Sequence, residues 1–281
     1  MADTEHDLLL ALATTPNFKK DKLIFVGRQS GLYRSSDAGK TWKKIQVVEG
    51  EELSVTALAI TPNCLFAALT GGVAWSNDVG NSWSWTQLTA PAHYVSMLAV
   101  SPNFDKNNTL FAATLEDGVF RSVNRGVTWE SWNFGLLDKQ VLCLAANRES
   151  LFAGTGTGLF RSDNNARSWK EMSLPVEDSV LSLGLIGRSL FLGTESHGLF
   201  VSDDEGYSWK KIKVKVTEMP INAIQVSGKK VVSIRVLVGS KILESTNKGK
   251  TWRLIPLATT DNVLIFATPV VGFSSGEVAT W

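Results

Sequence analysis

The chain has 281 residues, of which 44% are hydrophobic and 20% are charged, and its formal net charge is +1. This composition is typical of a globular protein and gives no electrostatic signal for binding nucleic acid or an anionic membrane. The longest apolar runs, such as Leu8–Ala13, are far shorter than the ~20 residues of a membrane-spanning helix, which argues against membrane insertion. The N-terminal MADTEHD lacks the pattern of a secretory signal, so we expect a cytoplasmic protein.

Four short segments at the start of the chain predict four β-strands, which we label A to D. They read LLLALAT, LIFVG, LYRS and TWKKI, and turn-forming residues separate them. The same series returns along the chain, for example as VLCLAAN, SLFAGTGTG, LFRS and SWKEM in the fourth unit. No segment keeps a hydrophobic period of 3.6 residues, so no helix is predicted.

The spacing of the repeat predicts a β-propeller. Six tryptophans that open the D segments are separated by 41, 46, 40, 40 and 43 residues, and a period near ~40 residues with four strands is that of a propeller blade. The sequence therefore predicts an all-β fold with seven blades of four antiparallel strands in a single domain, residues 1–281. The predicted blades span approximately residues 7–46, 53–87, 94–133, 140–173, 179–213, 220–256 and 262–281. The last blade is expected to have three strands, unless the N-terminal residues supply an edge, because the sequence ends after its third segment.

An eight-residue pattern, Ser-x-Asp/Asn-x-Gly-x-Ser/Thr-Trp, joins segments C and D in the first six units. The short acidic or amide side chain can accept hydrogen bonds from its own turn, glycine tolerates a positive φ, and tryptophan buries a large apolar surface. The third position is Asp in three copies and Asn in three, an exchange that a turn tolerates but a metal site or a general acid does not. In the fourth copy Ala166 replaces glycine, and we expect a strained or altered turn there. We predict a structural role for Asp37, Gly39, Trp42, Asp78, Gly80, Trp83, Asn124, Gly126, Trp129, Asn164, Trp169, Asp204, Gly206, Trp209, Asn247, Gly249 and Trp252.

These six octads resemble the Asp-box, or bacterial neuraminidase repeat, and the resemblance covers essentially the whole chain. Propellers of this kind include sialidases, xyloglucanases, sortilin-type receptors and photosystem II assembly factors, so the resemblance implies the fold rather than one function. A sialidase would carry a Phe/Tyr-Arg-Ile-Pro segment, which this sequence lacks. Of the three tyrosines, only Tyr94 lies where a pocket residue could stand.

Other reactive residues in the sequence do not form a recognisable site. Cys64 and Cys143 fall in different repeats and are predicted to be unpaired core residues. The three histidines lack the spacing of metal ligands, and no motif indicates a metal or a cofactor. Three arginines share one position of segment C, where we expect them to pack over aromatic rings rather than to bind a partner. They are Arg34, Arg121 and Arg161.

Acidic residues are concentrated in the connections from D to A and from B to C, which lie at the same end of an antiparallel blade. Our candidate binding residues on these connections are Arg28, His93, Tyr94, Glu116, Asp117, Asp138, Glu195 and His197. We expect a monomeric, non-catalytic scaffold that binds a protein partner through this end, with a glycan as a second class of ligand. The alternative is a glycoside hydrolase with two carboxylates ~5 Å or ~6.5–9.5 Å apart.

Overall fold

The structure, a computed structural model, describes residues 7–88, 94–214, 220–227, 232–257 and 261–281. Nearly all regular structure in these residues consists of short antiparallel sheets in which strands that follow one another along the chain pair with one another. Six sheets have four strands and the last has three. The chain is a seven-bladed β-propeller, and the predicted fold class is confirmed.

The strands of each blade keep the order A to D along the chain. Blades 1 and 2 contain β1 (Leu9–Thr14), β2 (Ile24–Arg28), β3 (Gly31–Ser35), β4 (Lys43–Ile45), β5 (Val55–Ile60), β6 (Leu65–Leu69), β7 (Gly72–Ser76) and β8 (Ser84–Gln87). Blades 3 and 4 contain β9 (Val95–Val100), β10 (Leu110–Thr114), β11 (Val119–Ser122), β12 (Glu130–Ser131), β13 (Val141–Ala146), β14 (Leu151–Thr155), β15 (Leu159–Ser162) and β16 (Lys170–Met172). Blades 5 to 7 contain β17 (Val180–Ile186), β18 (Ser189–Thr194), β19 (Leu199–Ser202), β20 (Lys210–Ile212), β21 (Ile221–Ser227), β22 (Ser233–Val238), β23 (Lys241–Ser245), β24 (Arg253–Leu254), β25 (Val263–Ala267), β26 (Val270–Phe273) and β27 (Val278–Thr280).

Two single-turn helices correct the expectation of a helix-free chain. Helix α1 (Phe18–Asp21) and helix α2 (Phe104–Asn107) lie between strands A and B of blades 1 and 3. Each buries its phenylalanine and ends at a residue with a positive φ, 57° at Lys22 and 50° at Asn108. Four residues are too few to show a hydrophobic period, so the pattern could not reveal them. No helix among the described residues has the length and hydropathy to cross a membrane.

One compact unit comprises Met1–Ser131 and Thr259–Trp281, and so holds blades 1, 2, 3 and 7. Blade 7 packs face to face against blade 1 within it. A Cβ atom built on Gly272 would lie 2.0 Å from a methyl carbon of Leu9, so the two strands touch closely. The Arg28 guanidinium adds hydrogen bonds to the carbonyls of Asp7 and Gly276. The three-stranded last blade is therefore joined to the first by packing and by one arginine.

The second compact unit, Trp132–Ala258, holds blades 4, 5 and 6. Small residues in strand B again let the next blade approach: a Cβ atom on Gly193 would lie 2.5 Å from Ile221. Cys143 is buried, donates a weak hydrogen bond to the Val180 carbonyl 3.4 Å away, and has a pKa that burial raises to about 12. Both cysteines are free and buried, as the sequence predicts.

Candidate functional site

Each blade presents two functionally different ends. The Asp-box turn between strands C and D lies at the same end as the connection from A to B. The connection from B to C lies at the other end, together with the residues that precede A and follow D. We call this second end the clasp end, for the hydrogen bonds described below.

The Asp-box turns close through hydrogen bonds of their own side chains. Asp37 Oδ1 accepts from Ser35 Oγ at 2.8 Å and from the Thr41 amide at 2.9 Å, while its Oδ2 accepts from Thr41 Oγ1 at 2.6 Å. These bonds hold the pKa of Asp37 down at about 2, with the Thr41 hydroxyl as the largest cause. The same contacts recur around Asp78 and Asp204, whose pKa values are also lowered.

The three asparagine turns keep this geometry with one bond reversed. Asn124 Oδ1 accepts from Ser122 Oγ and from the Thr128 amide, but Asn124 Nδ2 donates to Thr128 Oγ1 at 2.9 Å. Asn164 and Asn247 do the same with Ser168 and Thr251. Both oxygens of each turn carboxylate thus accept hydrogen bonds within the turn. Across the described part of the chain, no group of three or more His, Cys, Asp or Glu side chains could hold a metal ion.

The turn at Ala166 keeps its hydrogen bonds, since the Ala166 amide donates to Ser162 Oγ at 2.9 Å as the glycine amides do in the other copies, but an L-residue takes a left-handed φ there. This residue has φ +66°, whereas the glycines at the same position have values from 81° to 93°. The indole of Trp169 donates to the carbonyl of Trp132 at 2.9 Å. In three other copies the indole instead donates to the glycine of its own turn, by Trp83, Trp129 and Trp209.

At the clasp end, an aspartate that precedes strand A accepts hydrogen bonds from the B-to-C connection of the same blade. Asp138 Oδ2 accepts from both the amide and the hydroxyl of Thr157, each at 2.9 Å. Asp178 Oδ2 accepts from the amides of Ser196 and His197 and lies 2.8 Å from His197 Nδ1. Equivalent bonds are made in blades 1 and 7. We call these four residues the clasp aspartates: Asp7, Asp138, Asp178 and Asp261.

The electrostatics of three clasp aspartates favour the ionised form. Burial raises the pKa of Asp138, but hydrogen bonds from Gln140 and Thr157 outweigh it and the pKa lies below its usual value. Burial also raises the pKa of Asp178. Hydrogen bonds, with that of His197 as the largest, outweigh burial, so the pKa lies below its usual value. Hydrogen bonds from Ser274 and Ser275 lower the pKa of Asp261 to about 2.

The remaining candidate residues fall into separate blades. Tyr94 immediately precedes β9, and its carbonyl accepts the amide of Leu115 at 3.2 Å, which places it beside Glu116 and Asp117 in blade 3. Glu116 and Tyr94 are exposed, and Asp117 is half-buried. Arg28 is used in the contact between blades 1 and 7 described above. The clasp-end connection of blade 5 carries Glu195, which is exposed, and His197; His93 lies outside the described residues.

Two of the three strand C arginines, Arg34 and Arg161, pack over aromatic rings as expected, although over phenylalanine rings rather than over the repeat tryptophans. Arg161 stands 5.6 Å from the ring centre of Phe152 and 5.2 Å from that of Tyr207. It also pairs with Glu205 of the next blade at 3.1 Å, and both side chains are largely buried. Arg34 reaches Asn81 of the next blade at 2.9 Å in an exposed contact. These arginines therefore connect neighbouring blades.

The residues that sequence reasoning missed form a cleft at the clasp end of blade 4. The cleft has a volume of about 260 Å³ and lies between the β14–β15 connection, the end of β16 and the segment that follows it. Two strongly exposed apolar side chains stand in the preceding segment, Phe134 at 82% and Leu137 at 79%, while Leu136 between them is buried. The sequence signals this site only by the apolar residues Phe134 and Leu137 in a connection between strands. Sequence alone does not show whether such residues are exposed or buried.

Comparison with known proteins agrees with this fold. The family model of the BNR-Asp box repeat matches residues 32–45, which form strands C and D of blade 1 with the turn between them. No curated protein matches the chain by sequence. This segment is thus similar to the BNR-Asp box repeat.

Solved structures with the same fold include proteins of different function. One is YCF48 from Cyanidioschyzon merolae, with a TM-score of 0.69 and 15% identity over 98% of this chain and 94% of that one. YCF48 bound to a D1 peptide has a TM-score of 0.71 and 14% identity, over 97% and 92% of the two chains. The GH74 xyloglucanase from Xanthomonas campestris has a TM-score of 0.70 and 15% identity, and this chain spans 52% of its length. At these identities the likeness shows the fold alone.

Proposed function

We propose that the chain is a non-catalytic binding propeller whose partner is a protein, and that the partner docks on the clasp end of the blades. The observation that carries the proposal is that each clasp aspartate is engaged in hydrogen bonds from backbone amides of its own blade. The directions of three pKa shifts agree with it. The general acid of a glycoside hydrolase must be kept protonated by a raised pKa. The pKa values of Asp138, Asp178 and Asp261 are shifted in the opposite direction.

The bonds of these carboxylates also explain why acids recur at this end without being catalytic. Each clasp aspartate holds a backbone connection in place, because a carboxylate accepts amide hydrogen bonds more strongly than a neutral oxygen does. A rigid connection loses little entropy when a partner docks on it. Acidic residues here therefore support a binding surface by shaping it.

A solved structure with the same fold supports a protein partner. YCF48, which has been solved with a bound peptide, matches this chain over nearly the full length of both.

A display library of random twelve-residue peptides, selected against the intact chain, tests the proposal. We expect enrichment of a peptide consensus, and we expect the Phe134→Ser/Leu137→Ser variant to lose it. Val127→Ser removes an exposed apolar residue from an Asp-box turn and should leave enrichment unchanged. A glycan array and a hydrolysis assay with xyloglucan oligosaccharides run beside it. Retention of a glycan, turnover of the oligosaccharides, or the absence of any enriched peptide would contradict the proposal.

A further inference from the structure

The cleft of blade 4 has an apolar wall and an acidic rim. Met172, Leu174 and Val176 line it, and Met172 is buried while the other two are half-buried. The charged residues among those that line it are Glu171 and Glu177, both exposed. This combination attracts a group that carries both an apolar surface and a positive charge.

The segment that carries the exposed apolar pair runs from the start of β16 towards this cleft. The Phe134 carbonyl accepts the amide of Trp169 at 2.8 Å, and Trp169 directly precedes β16, whose last residues line the cleft. Leu137 precedes Asp138, which binds the cleft residue Thr157. The segment from Phe134 to Asp138 therefore follows the outer strand of blade 4 towards the cleft. Two apolar side chains with this exposure, on a connection held by hydrogen bonds, are available for contact with a partner.

A glycine without a side chain forms part of the cleft lining. Gly158 lines it, and a Cβ atom built on this glycine would meet nothing within 4 Å. The volume of about 260 Å³ lies below the ~300–1,000 Å³ of clefts that enclose a drug-sized ligand. The cleft accordingly suits one or two side chains of an extended peptide.

We propose that this cleft is a peptide-docking site that takes a lysine or arginine next to an aliphatic residue of the partner protein. The proposal deepens the proposed function and rests on it. The aliphatic side chain packs against Leu174 and Val176 and beside Leu137. The cationic group lies at the rim between Glu171 and Glu177.

The peptide consensus from the display library provides the first test. We expect it to contain Lys or Arg within two positions of Leu, Ile, Val or Met. We then measure binding of the best peptide, labelled with a fluorophore, by anisotropy. Replacing its basic residue by glutamate should weaken binding at least about tenfold, a change of about 1.4 kcal/mol.

Charge reversal on the chain provides the second test. Glu171→Lys and Glu177→Lys should each weaken the peptide about tenfold or more, and raised salt should weaken binding to the unchanged chain. The matched control is Glu149→Lys, which changes the charge equally on an exposed connection at the opposite end of blade 4. Thermal melting of all three variants checks that the fold is kept.

The outcomes separate this proposal from the proposed function. An acidic or purely apolar consensus, or binding that Glu171→Lys and Glu149→Lys weaken equally, overturns the cleft proposal and leaves a protein-binding propeller. Failure of the library to enrich any peptide overturns both.

Discussion

One hydroxyl group allows the repeated turn to use either an acid or an amide. The Thr41 hydroxyl donates a hydrogen bond to the carboxylate of Asp37, whereas the Thr128 hydroxyl accepts a hydrogen bond from the side-chain amide of Asn124. A hydroxyl can do both because it carries a donor and two acceptor lone pairs. The exchange of Asp and Asn among the six copies thus changes charge but not the number of bonds.

The aspartate turns should make stability depend on pH, and the asparagine turns should not. The folded pKa of Asp37 is about 2, below its usual 3.8, so its contribution is present above the unfolded pKa and is lost as pH falls through the folded pKa. The triple variant Asp37→Asn/Asp78→Asn/Asp204→Asn should therefore show a smaller fall in Tm than the unchanged chain from about pH 5 to about pH 2. Thermal melting monitored by circular dichroism at each pH measures this fall in Tm.

The reverse substitutions give the matched control. Asn124→Asp, Asn164→Asp and Asn247→Asp add carboxylates with the same partners and should enlarge the fall in Tm over the same range. Equal falls for the unchanged chain and both triple variants would show that the turn hydrogen bonds do not hold these carboxylates ionised.

Ala166 marks the turn at which a single substitution should stabilise the fold. A left-handed conformation costs an L-residue about 1–2 kcal/mol, and glycine at this position would avoid that cost. Part of the gain is offset because glycine loses more conformational entropy on folding than alanine does, by about 0.5–1 kcal/mol. We expect Ala166→Gly to stabilise by up to about 1 kcal/mol, or about 2 °C in Tm. Gly39→Ala, where a Cβ atom would have 3.6 Å of clearance, should lower stability by a similar amount. A lower Tm for Ala166→Gly would contradict the strain.

At the scale of strands, close approach between blades depends on one position of strand B. This position pairs with the first or second residue of strand C and is occupied by glycine in several blades, for example Gly193 opposite Leu199, and by alanine in blade 3, where Ala113 lies opposite Val119. Small residues at this position allow close approach between blades. The sequence alone could not show which blades require glycine, since that depends on the side chain of the following blade.

Gly193→Ala should destabilise the chain by about 1–3 kcal/mol through overpacking. The added carbon would lie 2.4 Å from Ser182 Oγ and 2.5 Å from Ile221 Cγ2, and the latter belongs to the next blade. Ala113→Gly is the control at the equivalent position and should cost only about 0.5–1 kcal/mol. Urea denaturation measures the free energy of unfolding of both variants. Equal losses of stability would argue against a tight contact at Gly193.

For the molecule as a whole, the repeat made the fold predictable and left the binding surface hidden. Six octads fixed the positions of strands C and D in six blades, and the three strand-like segments after Trp252 indicated the seventh. The clasp bonds escaped sequence reasoning because their partners lie at no constant distance, 19 residues apart for Asp138 and Thr157 but 13 for Asp261 and Ser274. The cleft of blade 4 combines residues of the repeat with the connection after β16, and the octads carry no information about that connection, so no pattern in the sequence predicts the cleft.

Stability should also be unequal among the blades, because blade 7 lacks a fourth strand in the described structure. Strand β27 pairs with β26 on one side only, whereas β19 of blade 5 lies between two strands. Hydrogen bonds from Trp281 to Pro269 and from Phe273 to Glu277 set the alternation of the ladder, so the amides of Val278 and Thr280 face away from β26. Unpaired edge amides exchange through small local openings rather than through global unfolding.

We therefore expect the amides of β27 to exchange with deuterium at least about tenfold faster than those of β19. Hydrogen exchange read by mass spectrometry on peptides that cover residues 270–281 and 189–202 measures the difference. Residues 110–122, which hold strands B and C of the four-stranded blade 3, serve as a second reference and should match blade 5. Equal protection of β27 and β19 would mean that the edge is covered in solution, and a concentration series would then show whether a second copy covers it.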